Sequence, residues 1–204
     1  MDKHADVAAC QPKILAYHQK EFFEHAGACG GYIDYLGYPF CRGRIFNSLE
    51  KDKNQYSDNK EIFWATGAAM FIRSHVYKST GGFDTDFFAH MEEIDLCWRM
   101  KHSGHKLYCI PASKVYHVGG GTLHKSNPKK TYLNFRNNLM MLLKNLPEGN
   151  RFSVFTKRLY LDKLAFIKFF FSGNFKDAWA VYRAYFYVMI NYNTLMKKRG
   201  EIKN

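Results

Sequence analysis

Between Phe63 and His117 the chain reads F-W-A-T-G-A-A-M-F-I-R, then G-G-F-D-T-D-F-F-A-H-M-E-E-I-D-L-C-W-R, then G-H-K-L-Y-C-I-P-A-S-K-V-Y-H. Asp84, Asp86, Glu92, Glu93 and Asp95 are set among Phe83, Phe87, Phe88, Met91, Ile94, Leu96 and Trp98. A solvated acidic loop has no reason to alternate acids with large apolar side chains. The pattern implies carboxylates held in a partly desolvated cleft, where burial tunes their pKa values for acid–base work.

The flanking sequence supplies the elements that would frame such a cleft. Val7 to Leu15 reads as a short buried strand stopped by Pro12, and residues 17–60 as irregular chain punctuated by glycines and aromatics. Residues 50–60 form a polar surface loop. Ile62 to Ile72 reads as a strand kinked at Gly67. Arg73 to Ser79 reads as a short helix ended by Gly81-Gly82. His90 to Ser103 is the next helix, with Ile94, Cys97, Trp98 and Lys101 on one buried face and Gly104 closing it. Short strands are expected at Lys106 to Ile110 and Val115 to His117, then a glycine loop at 119–121. A helix over Tyr132 to Leu146 is stopped by Pro147. Phe152 to Phe171 and Phe175 to Met196 read as a helical pair.

Charge divides the chain in two. The first 124 residues hold 14 Lys/Arg against 14 Asp/Glu, whereas residues 125–204 hold 16 against four, so the whole net charge of +12 sits in the last eighty residues. Such asymmetry points to an anionic partner for the tail. The five cysteines form no C-x-x-C pair, and a reduced set of thiols fits them best. A zinc site from Cys97, Cys109, His117 and His124 fails on spacing, since no two lie close enough for a ligand knuckle. No uninterrupted apolar stretch is long enough for a clear transmembrane helix.

The acidic run resembles the acceptor-side half of family 2-type, inverting glycosyltransferases with the GT-A fold. The residues that carry the resemblance are Gly67-Ala68, Gly81-Gly82-Phe83-Asp84, Glu92-Glu93-x-Asp95-Leu96-Cys97-x-Arg99, Gly104, Pro111 and His117, and it covers roughly residues 5–145. It implies Glu93 as the base that deprotonates an acceptor hydroxyl. The family usually carries Asp there, so Glu shifts the reach by about 1.5 Å. Glu92 and Asp95 belong to the same catalytic group, although both glutamates also suit a first helical turn. Asp95 also suits an i,i+4 pair with Arg99. Trp64, Gly67, Ala68, Asp84 and Arg99 are the implied substrate-binding residues; Trp64 also reads as core and Asp84 as a turn or cap aspartate. His117 is the implied contact to a divalent metal, Mn or Mg, and to the diphosphate, with His124 and Lys125 as further phosphate contacts. The family's metal-binding D-x-D is absent here, because Asp84-x-Asp86 falls in the acceptor-side turn. No β/α nucleotide-binding unit precedes residue 60, so the chain looks like the C-terminal portion of a longer enzyme.

The tail alternates aromatics with Lys and Arg. Leu164 to Phe171 and Trp179 to Met189 are its most apolar stretches, interrupted by Lys168 and Arg183. An amphipathic pair lying in the interface of an anionic leaflet fits this pattern; a hairpin packed on its own domain is the alternative.

The expectation is therefore an α/β chain: a partial GT-A-like mixed sheet with flanking helices over residues 1–124, then a C-terminal helical membrane-associated hairpin within a basic region, 125–204. Its function would be sugar transfer from a nucleotide-sugar donor to a glycan or lipid-linked acceptor in cell-surface polysaccharide synthesis. It would sit peripherally at the cytoplasmic face of the inner membrane through residues 150–204, with no nucleic-acid partner. The alternative is a non-catalytic membrane- or partner-binding module.

Overall fold

The computed structural model describes residues 4–45, 48–119 and 127–203. The start of the chain, the glycines at 120–121, His124 and Lys125 lie outside the described residues. The chain divides into two compact units. The first comprises Met1–Asp34, Tyr38–Asp84 and Glu93–Gly121, the second Tyr35–Gly37, Thr85–Glu92 and Thr122–Asn204.

The first unit is built on a mixed four-stranded sheet. Its strands are β1 (Val7–Ala16), β6 (Lys60–Ile62), β7 (Phe71–Ile72) and β8 (Lys106–His117), in the order β6-β8-β1-β7. β1 and β8 run parallel, and β7 and β6 pair antiparallel on either side. The expected mixed sheet is thus present, but β1 does not stop at Pro12. The ladder jumps from Pro12↔Ile110 to Lys13↔Lys114. Pro12 has no N–H to donate, and residues 111–113 of β8 bulge out opposite it, so both strands continue. The two short strands expected around Pro111 are accordingly one.

Residues 17–60 are less irregular than their sequence suggests. They contain a second, antiparallel sheet of β2 (Gly31–Ile33), β3 (Pro39–Cys41), β4 (Arg44–Ile45) and β5 (Ser48–Leu49), in sequential order. The polar segment after it is anchored by Lys13, which is buried on β1 and meets both carboxylate oxygens of Asp52 at 2.9 Å. Two helices complete the unit, α1 (Ser74–Ser79) and α2 (Glu92–His102), the latter with Ile94, Leu96, Cys97, Trp98 and Met100 buried. Glu92, at the very start of α2, belongs to the second unit.

The second unit is helical: α3 (Pro128–Asn145), α4 (Glu148–Phe171), α5 (Phe175–Ile190) and α6 (Tyr192–Lys203). α3 begins four residues before the apolar periodicity does, because Asn127 caps it, accepting from the Lys129 N–H at 2.9 Å, with Pro128 in the first turn. The expected helix from Phe175 to Met196 is two helices. Asn191 interrupts it, donating to the Tyr187 carbonyl at 2.9 Å. Buried arginines bind the unit together. Arg158 and Asp162 pair at 3.3 Å one turn apart, with Tyr185 donating to the same carboxylate at 2.8 Å. Arg199 donates to the Leu143, Lys144 and Leu146 carbonyls at the C-terminus of α3, where a cation complements the helix dipole.

Candidate functional site

In the first unit, Glu93 opens α2 against the Thr66–Ala68 turn. Gly67 is exposed, and a Cβ built on it would meet only the Glu93 Cβ, at 4.0 Å. The turn is fixed from below. The Thr66 N–H donates to Gln11 Oε1 at 2.9 Å, and Gln11 in turn donates to the Gly27 carbonyl at 3.3 Å. The Ala68 N–H closes the turn onto Thr66 Oγ1 at 3.2 Å. Gly27, at φ +83°, lies so close beneath Thr66 that an added Cβ would come within 2.5 Å of the threonine Cβ. Fully buried Gln11 therefore ties a glycine loop and the Gly67-Ala68 turn to one strand, with Gly67 exposed beside Glu93, whose Oε2 is buried.

Sequence reasoning missed Glu24. It is buried, its Oε2 accepts from the Ala26 N–H at 2.7 Å and stands 3.1 Å from His117 Nδ1. A Cβ on Gly119, at φ +71°, would come within 2.7 Å of Glu24 Oε1, so only glycine fits there. Glu24 and Glu93 share an electrostatic neighbourhood. Burial pushes the Cys41 thiol up, and both carboxylates push it further. Nothing local marks Glu24, because its partner lies 93 residues away.

His117 and Glu24 would be two ligands for the expected metal. Among the described residues no three His, Cys, Asp or Glu side chains gather into a metal cage.

Asp95 and Arg99 are interior and paired with each other. Asp95 is fully buried and accepts from Arg99 Nε at 2.9 Å, the i,i+4 pair that the spacing permits. Arg99 also donates to the Thr80 carbonyl, and to the Gly82 carbonyl at 2.6 Å. Tyr77 secures the same turn, its hydroxyl accepting from the Phe83 N–H at 3.3 Å. The pair thus fixes the Gly81-Gly82 turn that delivers Asp84. Trp64 is likewise interior. Its indole N–H donates to the Tyr32 carbonyl at 2.9 Å and its ring lies against the backbone of Gly31, the core placement that the sequence also allowed.

The second unit shapes the chain just before Glu93. Phe88, His90 and Met91 all adopt left-handed φ, at 62°, 70° and 70°, a conformation that is costly for non-glycine residues and clusters at functional sites. Two neighbouring residues of α3 hold this turn. Arg136 donates to the Asp86 and Phe87 carbonyls at 2.8 and 3.0 Å. Asn137 Nδ2 lies 2.7–2.9 Å from the Phe87, Ala89 and His90 carbonyls. Within the turn, His90 Nε2 and Glu92 Oε2 are buried and make no hydrogen bond among the described residues. Burial pushes the Glu92 carboxyl above its usual range, and burial together with the Lys130 charge lowers His90. Left-handed φ at three non-glycine residues and two buried polar atoms without a hydrogen bond among the described residues coincide in this one turn. Asp86, in the same segment, pairs with Lys198 at 2.6 Å.

Comparison with known proteins agrees in kind with the acidic run. The chain is 36% identical over 62 residues to the rhamnosyltransferase WbbL of Escherichia coli, covering 30% of this chain and 23% of that protein. It is 26% identical over 88 residues to an N-acetylglucosaminyl-diphospho-decaprenol L-rhamnosyltransferase of Mycobacterium tuberculosis, covering 43% and 28% of the two chains. It is 28% identical over 120 residues to the O-antigen biosynthesis protein RfbC of Myxococcus xanthus, covering 53% and 9%. No protein-family model matches. The matches to the two rhamnosyltransferases span about a quarter of those relatives' length. By these partial similarities the chain is like glycosyltransferases that serve polysaccharide synthesis.

Proposed function

We propose that this chain forms the acceptor-side part of an inverting glycosyltransferase of the GT-A type, with Glu93 as its base. The carrying observation is Glu93 at the start of α2 against the open Gly67 turn, in a chain similar to two rhamnosyltransferases. Glu93 takes the proton from an acceptor hydroxyl. The freed oxygen attacks the anomeric carbon of the donor sugar from the side opposite the leaving group, and the nucleoside diphosphate departs with the electrons of the broken C–O bond. Gly67 leaves room for the acceptor to approach, and Gln11 keeps the turn from moving as the bond forms. The decaprenol-linked acceptor named for the mycobacterial relative makes a lipid-linked glycan the acceptor class to test first, with a nucleotide-sugar as donor.

The test is the anomeric configuration of the product made by the native gene product, read by proton NMR. Inversion relative to the donor is expected; retention would eliminate Glu93 as a simple base. A second reading, a non-catalytic module, draws on the short spans of the relatives matched. It predicts no nucleotide-sugar turnover under any acceptor.

A further inference from the structure

α5 is apolar nearly all round. Ala178, Val181, Ala184 and Val188 form its buried face. Phe175, Trp179, Tyr182, Phe186 and Met189 recur at four- and three-residue steps on another side and are 52–72% exposed. That spacing is one continuous helical stripe. α4 repeats the device. Its buried face is Val154, Arg158 and Asp162, and nothing beyond Asp162 is buried. Tyr160, Leu164, Ile167 and Phe171 recur at the same steps on the far side, all exposed. The two stripes meet at the tip of the hairpin, where Phe170 contacts both Phe171 and Phe175, with ring centroids 5.7 and 5.2 Å apart. A helix with two apolar sides and one covered side lacks a partner for the other.

Charge says which partner. Lys157, Lys163 and Lys168 flank the α4 stripe, and Lys176 and Arg183 flank that of α5. The nearby acids are already engaged: buried Asp162 with Arg158 and Tyr185, and half-buried Asp177 as acceptor from the Thr131 hydroxyl at 2.6 Å. A second copy of this surface would bring lysines against lysines, and the cores of protein interfaces are depleted of lysine. A bilayer with anionic headgroups supplies the complement to both features, phosphates for the lysines and an acyl boundary for the aromatics. No described helix is long and apolar enough to cross a membrane.

We propose that the α4–α5 hairpin lies flat in the headgroup region of an anionic lipid bilayer. Both aromatic stripes reach the acyl boundary and the flanking lysines sit among the phosphates. Met189, at the end of the α5 stripe, also lines an apolar hollow of about 380 Å³ together with Phe152 and Leu143.

The test is partition of the 204-residue chain into vesicles of phosphatidylcholine with and without phosphatidylglycerol. Trp64 and Trp98 are buried and Trp179 is 58% exposed, so the change in tryptophan emission reports on the hairpin. Binding to the anionic vesicles with a blue shift is expected, weakening as salt is raised. Tyr182→Ser with Phe186→Ser, which keeps Trp179 as the reporter, should lower partition about tenfold or more, and Lys163→Ser with Lys168→Ser and Lys176→Ser should erase the preference for anionic lipid. These side chains are exposed, so an unchanged far-UV circular dichroism spectrum is expected of both variants. Absence of binding to anionic vesicles overturns the proposal. So does binding that survives loss of the aromatics, which is charge attraction alone, and so does a dimer in lipid-free solution that Phe186→Ser converts to monomer. Partition needs no donor sugar, so its failure leaves the transferase reading standing, and the reverse holds.

Discussion

Three acids within four positions have three different environments. Glu93 lies beside an exposed glycine turn with its Oε2 buried, Asp95 is locked to Arg99, and Glu92 lies at the end of the strained turn with its own Oε2 buried. Burial raises the Glu92 carboxyl above the ordinary range of a glutamate, so the folded chain keeps that proton to higher pH than the unfolded chain does. The group therefore costs no stability at low pH. The cost appears as pH rises past the unfolded value and is complete above the folded one. Glu92→Gln removes the ionisation. Its urea midpoint is expected to exceed that of wild type at neutral pH, with the gain vanishing below about pH 4; a variant less stable at neutral pH would refute the assignment. At this scale the sequence is legible where partners are local. The i,i+4 spacing of Asp95 and Arg99 announces their pair. The Glu24–His117 contact joins residues 93 apart, and no local pattern encodes it.

Among the elements, α3 is the organiser of its unit. Arg136, Asn137 and Asn138 sit side by side on it. The first two grip the 86–90 turn, and Asn138 donates to the Gly37 carbonyl at 2.8 Å. Gly37, at φ +80°, rests against Leu142 with no room for a Cβ. Asn137→Ala strips the turn of its amide donor. The expected loss is about 1–3 kcal/mol, seen as a lower urea midpoint and faster amide exchange at residues 88–91; unchanged exchange there would show that the turn holds itself. The helices themselves are readable from Gly and Pro stops and apolar spacing. Their starts and breaks are not, because Asn127 and Asn191 act through single hydrogen bonds rather than through periodicity. The short strands of the second sheet, two or three residues each, carry too little alternation to be seen. The continuous β1 and β8 are hidden by prolines that the ladder absorbs in a bulge.

For the whole molecule, the sequence announces a mixed sheet followed by basic helices, and both are present. What it hides is that residues 35–37 and 85–92 belong to the helical unit. Those excursions are set by hydrogen bonds to α3 and Arg158, which no composition window registers. The consequence for function is that Glu92 and Glu93, neighbours in sequence, are the last residue of a segment in one unit and the first of a segment in the other.

The most direct measurement of the central claim is sugar transfer from a nucleotide-sugar by the native gene product, with Glu93 intact and as Glu93→Gln. The glutamine is nearly isosteric and cannot take a proton. A fall in kcat of about 10²–10⁴-fold with nucleotide-sugar binding preserved is the predicted result. Activity within about tenfold of wild type is too much to leave to a missing base, and would contradict the account.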